Sequence, residues 1–211
     1  SVTYNPNGGA LMVEMTSPRY SYHLYAGPIA GQWIEYFDDQ NIFLNALPDR
    51  LREKVVLRLD HNDYGWDQNN RWKEKMPEIN IDSSNLSISK LVEKNRLYIS
   101  TYNATTYLES LTWNIPTIIF WSPKYWEIKD NVKPYFELLQ SVGIFHETPE
   151  SAAKQMIMVW DNISDWWESD EVQSARKIFC NQFALIPSKP MSGLESLIED
   201  IANTSDVSST T

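Results

Sequence analysis

Apolar residues in this chain switch repeatedly between two spacings, and the switches outline the elements. Residues 10–16 (ALMVEMT), 55–59 (VVLRL), 79–82, 97–101 (LYIST), 117–121 (TIIFW) and 144–146 are short apolar runs, several of them β-branched. They are too short for globular helices and are predicted as strands. Residues 32–47 instead place Trp33, Tyr36, Phe37, Phe43, Leu44 and Leu47 close to helical spacing. Helical turns are also predicted at 48–54, 71–75, 87–95, 104–113, 132–142, 149–160, 170–184 and 193–202. Start and stop signals support several of them. Thr148-Pro149-Glu150 supplies a cap, a proline at the first position and an acid beside the dipole. Gly143 and Asn114 are suited to ending helices. Asn103 is predicted to cap residues 104–113 through its side-chain oxygen.

Strands separated by helices form βαβ units, which need a parallel sheet covered on both faces. The fold class is therefore α/β, a doubly wound parallel sheet with extra C-terminal helices. The domain layout reads as a linker or boundary segment at 1–9, an α/β domain at 10–185, a C-terminal helix at 186–202 and a disordered tail at 203–211. In such sheets ligands dock beyond the carboxyl ends of the strands. Residues 102–106 form such an edge, where free amides and a helix dipole suit an anion such as phosphate. Glu109, less than two turns into the helix, is placed to reach the sugar of a nucleotide bound there.

Composition narrows the partners. A formal charge of −10 gives no positive field for general nucleic-acid binding. Nine Trp and eleven Tyr exclude a disordered chain. Cys180 stands alone, so no disulfide framework or cysteine metal site is expected, and a reducing, cytoplasmic compartment is the natural home. No apolar run is long enough to cross a bilayer. No His/Cys/Asp cluster has metal spacing, so no metal is expected, and neither a nucleophile elbow nor a Walker loop occurs.

Other candidates each carry a structural alternative. Arg58 ends a strand at the docking edge and Arg19 follows the first strand; either guanidinium could clamp phosphate oxygens or pair with one of the many carboxylates. His61 is a candidate contact, whereas Asp63 reads as a turn cap. His23 and His146 rank lower. Trp126 and Glu127 lie beyond the strand at 117–121 as a minor candidate pair. Tyr20, Tyr22, Tyr25 and Trp33 could stack on a sugar or base, but such aromatics more often pack a helix onto the sheet. Trp166-Trp167 reads as packing between the last helices.

Residues 102–109 (YNATTYLE) followed by 114–121 (NIPTIIFW) resemble the nucleotide-binding half of two-domain GT-B glycosyltransferases. More narrowly, they resemble transferases of bacterial lipopolysaccharide or capsule gene clusters, distant relatives of the CDP-glycerol glycerophosphotransferases. Residues 63–66 (DYGW), 143–153 (GIFHETPESAA), Trp166-Trp167 and 172–176 (VQSAR) agree, and the resemblance runs from about residue 15 to 183. It implies a Rossmann-like, C-terminal donor domain in surface-polysaccharide biosynthesis. Asn103, Thr105 and Thr106 would contact the donor diphosphate and Glu109 the ribose, with Arg58 keeping the cation of the relatives' motif; Arg19, from its place after the first strand, is the second candidate cation. His61, Trp126 and Glu127 are further possible donor contacts. The distant relatives' Lys-x-His-Pro motif is altered here, since Arg58-Leu59-Asp60-His61-Asn62 sets the histidine one place late and lacks the proline.

The implied partners are a nucleotide-sugar substrate, a carbohydrate or lipid-linked glycan acceptor and an N-terminal GT-B domain, with no separate cofactor. That other half would bring the acceptor and the usual base, so catalytic residues are not assigned, and this chain alone is expected to bind donor without turnover. The implied setting is cytoplasmic, including the inner membrane face. A glycerophosphotransferase- or epimerase-like enzyme on the same half-fold, or a non-catalytic interaction domain, are the alternatives.

Overall fold

The computed structural model describes residues 2–20, 23 and 27–185. The helix predicted at 193–202 and the tail at 203–211 lie outside the described residues, as do Tyr22 and Tyr25. Among the described residues there are six strands: β1 (Gly9–Val13), β2 (Val55–Arg58), β3 (Asn80–Ile81), β4 (Asn95–Ser100), β5 (Thr117–Phe120) and β6 (Phe145–His146). The helices are α1 (Gln32–Ala46), α2 (Asp49–Arg52), α3 (Gln68–Lys75), α4 (Ile88–Val92), α5 (Thr105–Thr112), α6 (Lys133–Ser141), α7 (Pro149–Val159), α8 (Ile163–Trp167) and α9 (Asp170–Phe183).

The strands form one all-parallel sheet in the order β3-β2-β1-β4-β5-β6. This is the doubly wound, Rossmann-like arrangement read from the alternating pattern. After β3 the chain crosses back to pair β4 with β1, so the winding reverses between them. Right-handed crossovers then place α1 on one face and α5 and α6 on the other. Consistent with that, α1 packs on α7, while α5 and α6 both pack on α9. Every residue of β5, and all but Arg96 of β4, is buried, as expected of strands covered on both faces.

Several boundaries move for identifiable reasons. The helix α3 begins at Gln68, three residues before its apolar signal, because Asp63 accepts the Asp67 and Gln68 amides at 2.8 and 2.7 Å. Residues 2–8, expected as a linker, are laid against the body. Val2 and Tyr4 pack on the core, and the Asn5 amide donates to the Asn95 carbonyl. Gly8 and Gly9 pass so close to the carbonyls of Lys94 and Lys54 that a Cβ at either position would collide with them.

The expected cap of α5 is also different. Its N-cap residue is Ala104, no side chain caps it, and Asn103 Oδ1 instead accepts the Tyr107 hydroxyl at 3.0 Å. At the far end Asn114 adopts φ 60°, as its helix-ending role requires, and its side-chain oxygen accepts Trp167 Nε1 and Gln173 Nε2. Trp166 donates to the Val142 carbonyl, so both tryptophans anchor the last helices to the sheet layer. Gly143, at φ +76°, ends the α6 segment with its α-carbon against Gln155.

Candidate functional site

The reversal between β1 and β4 is where a doubly wound sheet opens a crevice. Here the base of that crevice is stitched together. The Met15 amide donates to Tyr36 Oη, the Tyr36 hydroxyl donates to Thr101 Oγ1 at 2.6 Å, and Thr101 donates to the Val13 carbonyl. Three indoles hold the same exit from β1: Trp72 donates to Glu14, Trp33 to the Met15 carbonyl and Trp66 to the Ser17 carbonyl. Trp126 packs edge-on against Tyr36 above them. On the β4–β5–β6 side of this seam the rim is more open.

There, three depressions adjoin one another, two of them lined by α5. A hollow of about 310 Å³ is lined by Asn103, Tyr107, Glu127, Lys129 and Phe136, among others. Across Leu108 and Phe183, a second of about 270 Å³ is lined by Thr105, Glu109, Thr112 and Trp113. On the other side, sharing Glu127, Ile128 and Phe136, the largest measures about 420 Å³. Its walls include Trp126, Phe145, Lys133, Glu137 and Glu147, from the loop after β5, from α6 and from the end of β6.

The start of α5 thus lies between two of these hollows, at the carboxyl rim. With Ala104 as N-cap, no side chain accepts from the first-turn amides. Asn103 and Thr105 are exposed, while Thr106 Oγ1 is buried without a hydrogen-bond partner, near the Tyr98 and Tyr102 hydroxyls. The Thr106 hydroxyl is therefore covered, although the residue as a whole is half-buried. Glu109 is exposed one turn further along, about 6 Å in rise from Thr105.

The two arginines lie elsewhere. Arg58 is two strand spacings from Ser100, roughly 10 Å, with β1 between them. Its guanidinium turns toward β3, donating to Asp82 at 2.6 Å and to the Ser84 carbonyl at 2.7 Å. Burial acts to raise the Asp82 carboxyl, but the bonds from Ser84 and Arg58 outweigh it and hold the group below its usual range. With His61 and Asp60, Arg58 lines a separate polar hollow of about 270 Å³. Arg19 lies over Trp66 and Tyr20 and donates to the Gly65 carbonyl. Asn103, Thr105, Glu109, Trp126 and Glu127 are thus gathered along one trough, and Arg58, His61 and Arg19 are not part of it.

The expected turn role of Asp63 is what the structure shows. Burial opposes ionisation, yet the amides of Gln68, Asp67 and Gly65 hold the carboxyl low. His146, at the end of β6, is buried between Ser151 Oγ at Nδ1 and the Gly143 carbonyl, to which Nε2 donates. Burial lowers its pKa, against the raising effect of that carbonyl bond.

Sequence reasoning missed two groups. Lys129 is exposed, lines the Asn103 hollow and makes no ion pair among the described residues. Glu14 is 2 % exposed at the end of β1. Burial pushes its pKa up to about 8 despite the Trp72 bond, and its second oxygen has no partner. A charged residue inside the run ALMVEMT was the available signal for Glu14; Lys129 in a long polar loop offered none. Among the described residues no His, Cys, Asp and Glu group could hold a metal ion, and no helix is long and apolar enough to cross a membrane.

A comparison with curated proteins found no match. The model of the LIC12162 family of transferases matches residues 1–198, nearly the whole chain. The chain belongs to the LIC12162 transferase family.

Proposed function

We propose that this transferase domain holds a nucleotide-sugar donor and serves glycosyl transfer in surface-polysaccharide or lipopolysaccharide biosynthesis. The observation that carries the reading is the trough around the uncapped start of α5. The donor diphosphate lodges against the amides of Thr105, Thr106 and Tyr107, with the side chains of Asn103 and Thr105 and the Lys129 ammonium alongside. The dipole and amides stabilise charge as it builds on the leaving nucleotide, without proton transfer from the domain. Glu109 accepts hydrogen bonds from the ribose hydroxyls in the adjoining hollow, where Trp113 gives an apolar wall. Arg58 would reach the diphosphate only by leaving Asp82, so the reading gives it a structural role. In this scheme the acceptor, a carbohydrate or lipid-linked glycan, approaches from a partner domain of the two-domain type.

Calorimetric titration with UDP, GDP and CDP tests the reading. One of them binds, and Glu109→Ala lowers its affinity at least about tenfold, the ~1.4 kcal/mol of one lost charge-assisted hydrogen bond. No binding by any of the three, under conditions where the protein is folded, overturns it.

A further inference from the structure

The largest hollow differs from the other two in its chemistry. Its floor is formed by the edges of three buried rings, Trp126, Phe136 and Phe145, none more than 6 % exposed, and Trp121 packs behind all three with ring centroids 4.9 to 6.3 Å away. Around this floor stand three exposed carboxylates, Glu127, Glu137 and Glu147, from three different segments. The cation in the lining, Lys133, is already bound to Asp130 at 2.7 Å. The pocket therefore presents an apolar face ringed by acceptors under a net negative field. At about 420 Å³ it falls near the lower end of small-molecule sites, roughly 300–1,000 Å³. That is room for one ring-sized group and its linkage. It shares a wall with the hollow at the start of α5, so a group placed in it is continuous with a phosphate placed there.

Resting on the donor reading above, we infer that this pocket seats the transferred sugar and selects a neutral or amino sugar against an acidic one. The apolar side of the sugar ring rests over the exposed edges of Phe136 and Trp126, and ring hydroxyls, or an ammonium, donate to Glu127, Glu137 and Glu147. A uronate or sialate carboxylate would face three carboxylates against one lysine, which is shared with Asp130, and would meet net repulsion. The anion-attracting end of the donor and the anion-repelling end are thus separated by the wall at Glu127. That wall sets the direction in which a donor lies: nucleoside toward Glu109, sugar toward Glu147.

The test uses the whole chain. Whichever of UDP, GDP or CDP binds is compared with its neutral hexose, hexosamine and hexuronate esters by calorimetry. The neutral and amino esters bind at least tenfold more tightly than the hexuronate. In an E137Q/E147Q variant, whose thermal unfolding confirms the fold, the gap narrows below threefold. Equal affinity for hexose and hexuronate esters, or a gap that E137Q/E147Q leaves unchanged, overturns the selectivity while the nucleotide reading stands. Failure of every nucleoside diphosphate to bind removes both.

Discussion

At the end of β1 the Glu14 carboxyl is buried against the Trp72 indole, where solvation cannot support its charge. Glu14 keeps its proton in the folded protein up to about pH 8, but loses it near pH 4.5 when unfolded. Between these values the folded state binds more protons than the unfolded one. Its contribution to stability is therefore complete below pH 4.5, declines as pH rises to 8 and then levels, a change of a few kcal/mol at about 1.4 per pKa unit. Glu14→Gln keeps an acceptor for Trp72 and removes the titration. Urea unfolding at pH 6 and pH 9 should show a fall in wild-type stability that the variant lacks; an equal fall in both would contradict this account. His146 acts in the opposite sense. Its lowered pKa preserves full stability above pH 6.5 and loses it as pH falls through the folded value. These two residues illustrate the limit of reading from sequence. His146 and Glu14 were both visible as letters, but burial comes from Trp72, Tyr36 and Ser151, which are distant or on other elements.

Among the elements, α5 shows how far local signals extend. Its existence, its ending at Asn114 and the strands on either side were legible, because apolar runs and turn residues act over a few positions. Its cap was not. Asn103 has the residue type of an N-cap, but the Tyr107 hydroxyl claims its oxygen and the helix begins one residue later. The amides left uncapped are those assigned to the diphosphate, which makes a direct trade between stability and binding. Ala104→Asp should supply the missing acceptor and stabilise the ligand-free protein by roughly 0.5–2 kcal/mol. The same carboxylate should compete with phosphate and weaken nucleoside diphosphate binding at least tenfold. Thermal unfolding and calorimetry on one sample check both, and stabilisation without loss of affinity would contradict the proposed anion site.

For the whole molecule, winding order divides the carboxyl rim into two halves. The alternation of strands and helices gave the doubly wound class, but not the direction in which each crossover ran. Arg58 and Asn103 therefore looked like neighbours on one rim, although β1 lies between them and Arg58 faces Asp82. That division leads to a contrast. Arg58→Ala strands the largely buried Asp82 carboxylate and should cost about 1–3 kcal/mol of stability. Nucleotide affinity should remain within threefold of wild type, as calorimetry would show; a loss like that of Glu109→Ala would return Arg58 to the donor site.

The central claim concerns which backbone groups meet the donor, and amide chemical shifts report on them directly. A ¹⁵N-labelled sample titrated with UDP-, GDP- and CDP-sugars should give saturable shifts at the Thr105, Thr106 and Tyr107 amides and at Lys129. Shifts confined to residues around Arg58 and His61, or no saturable shift with any donor, would contradict it.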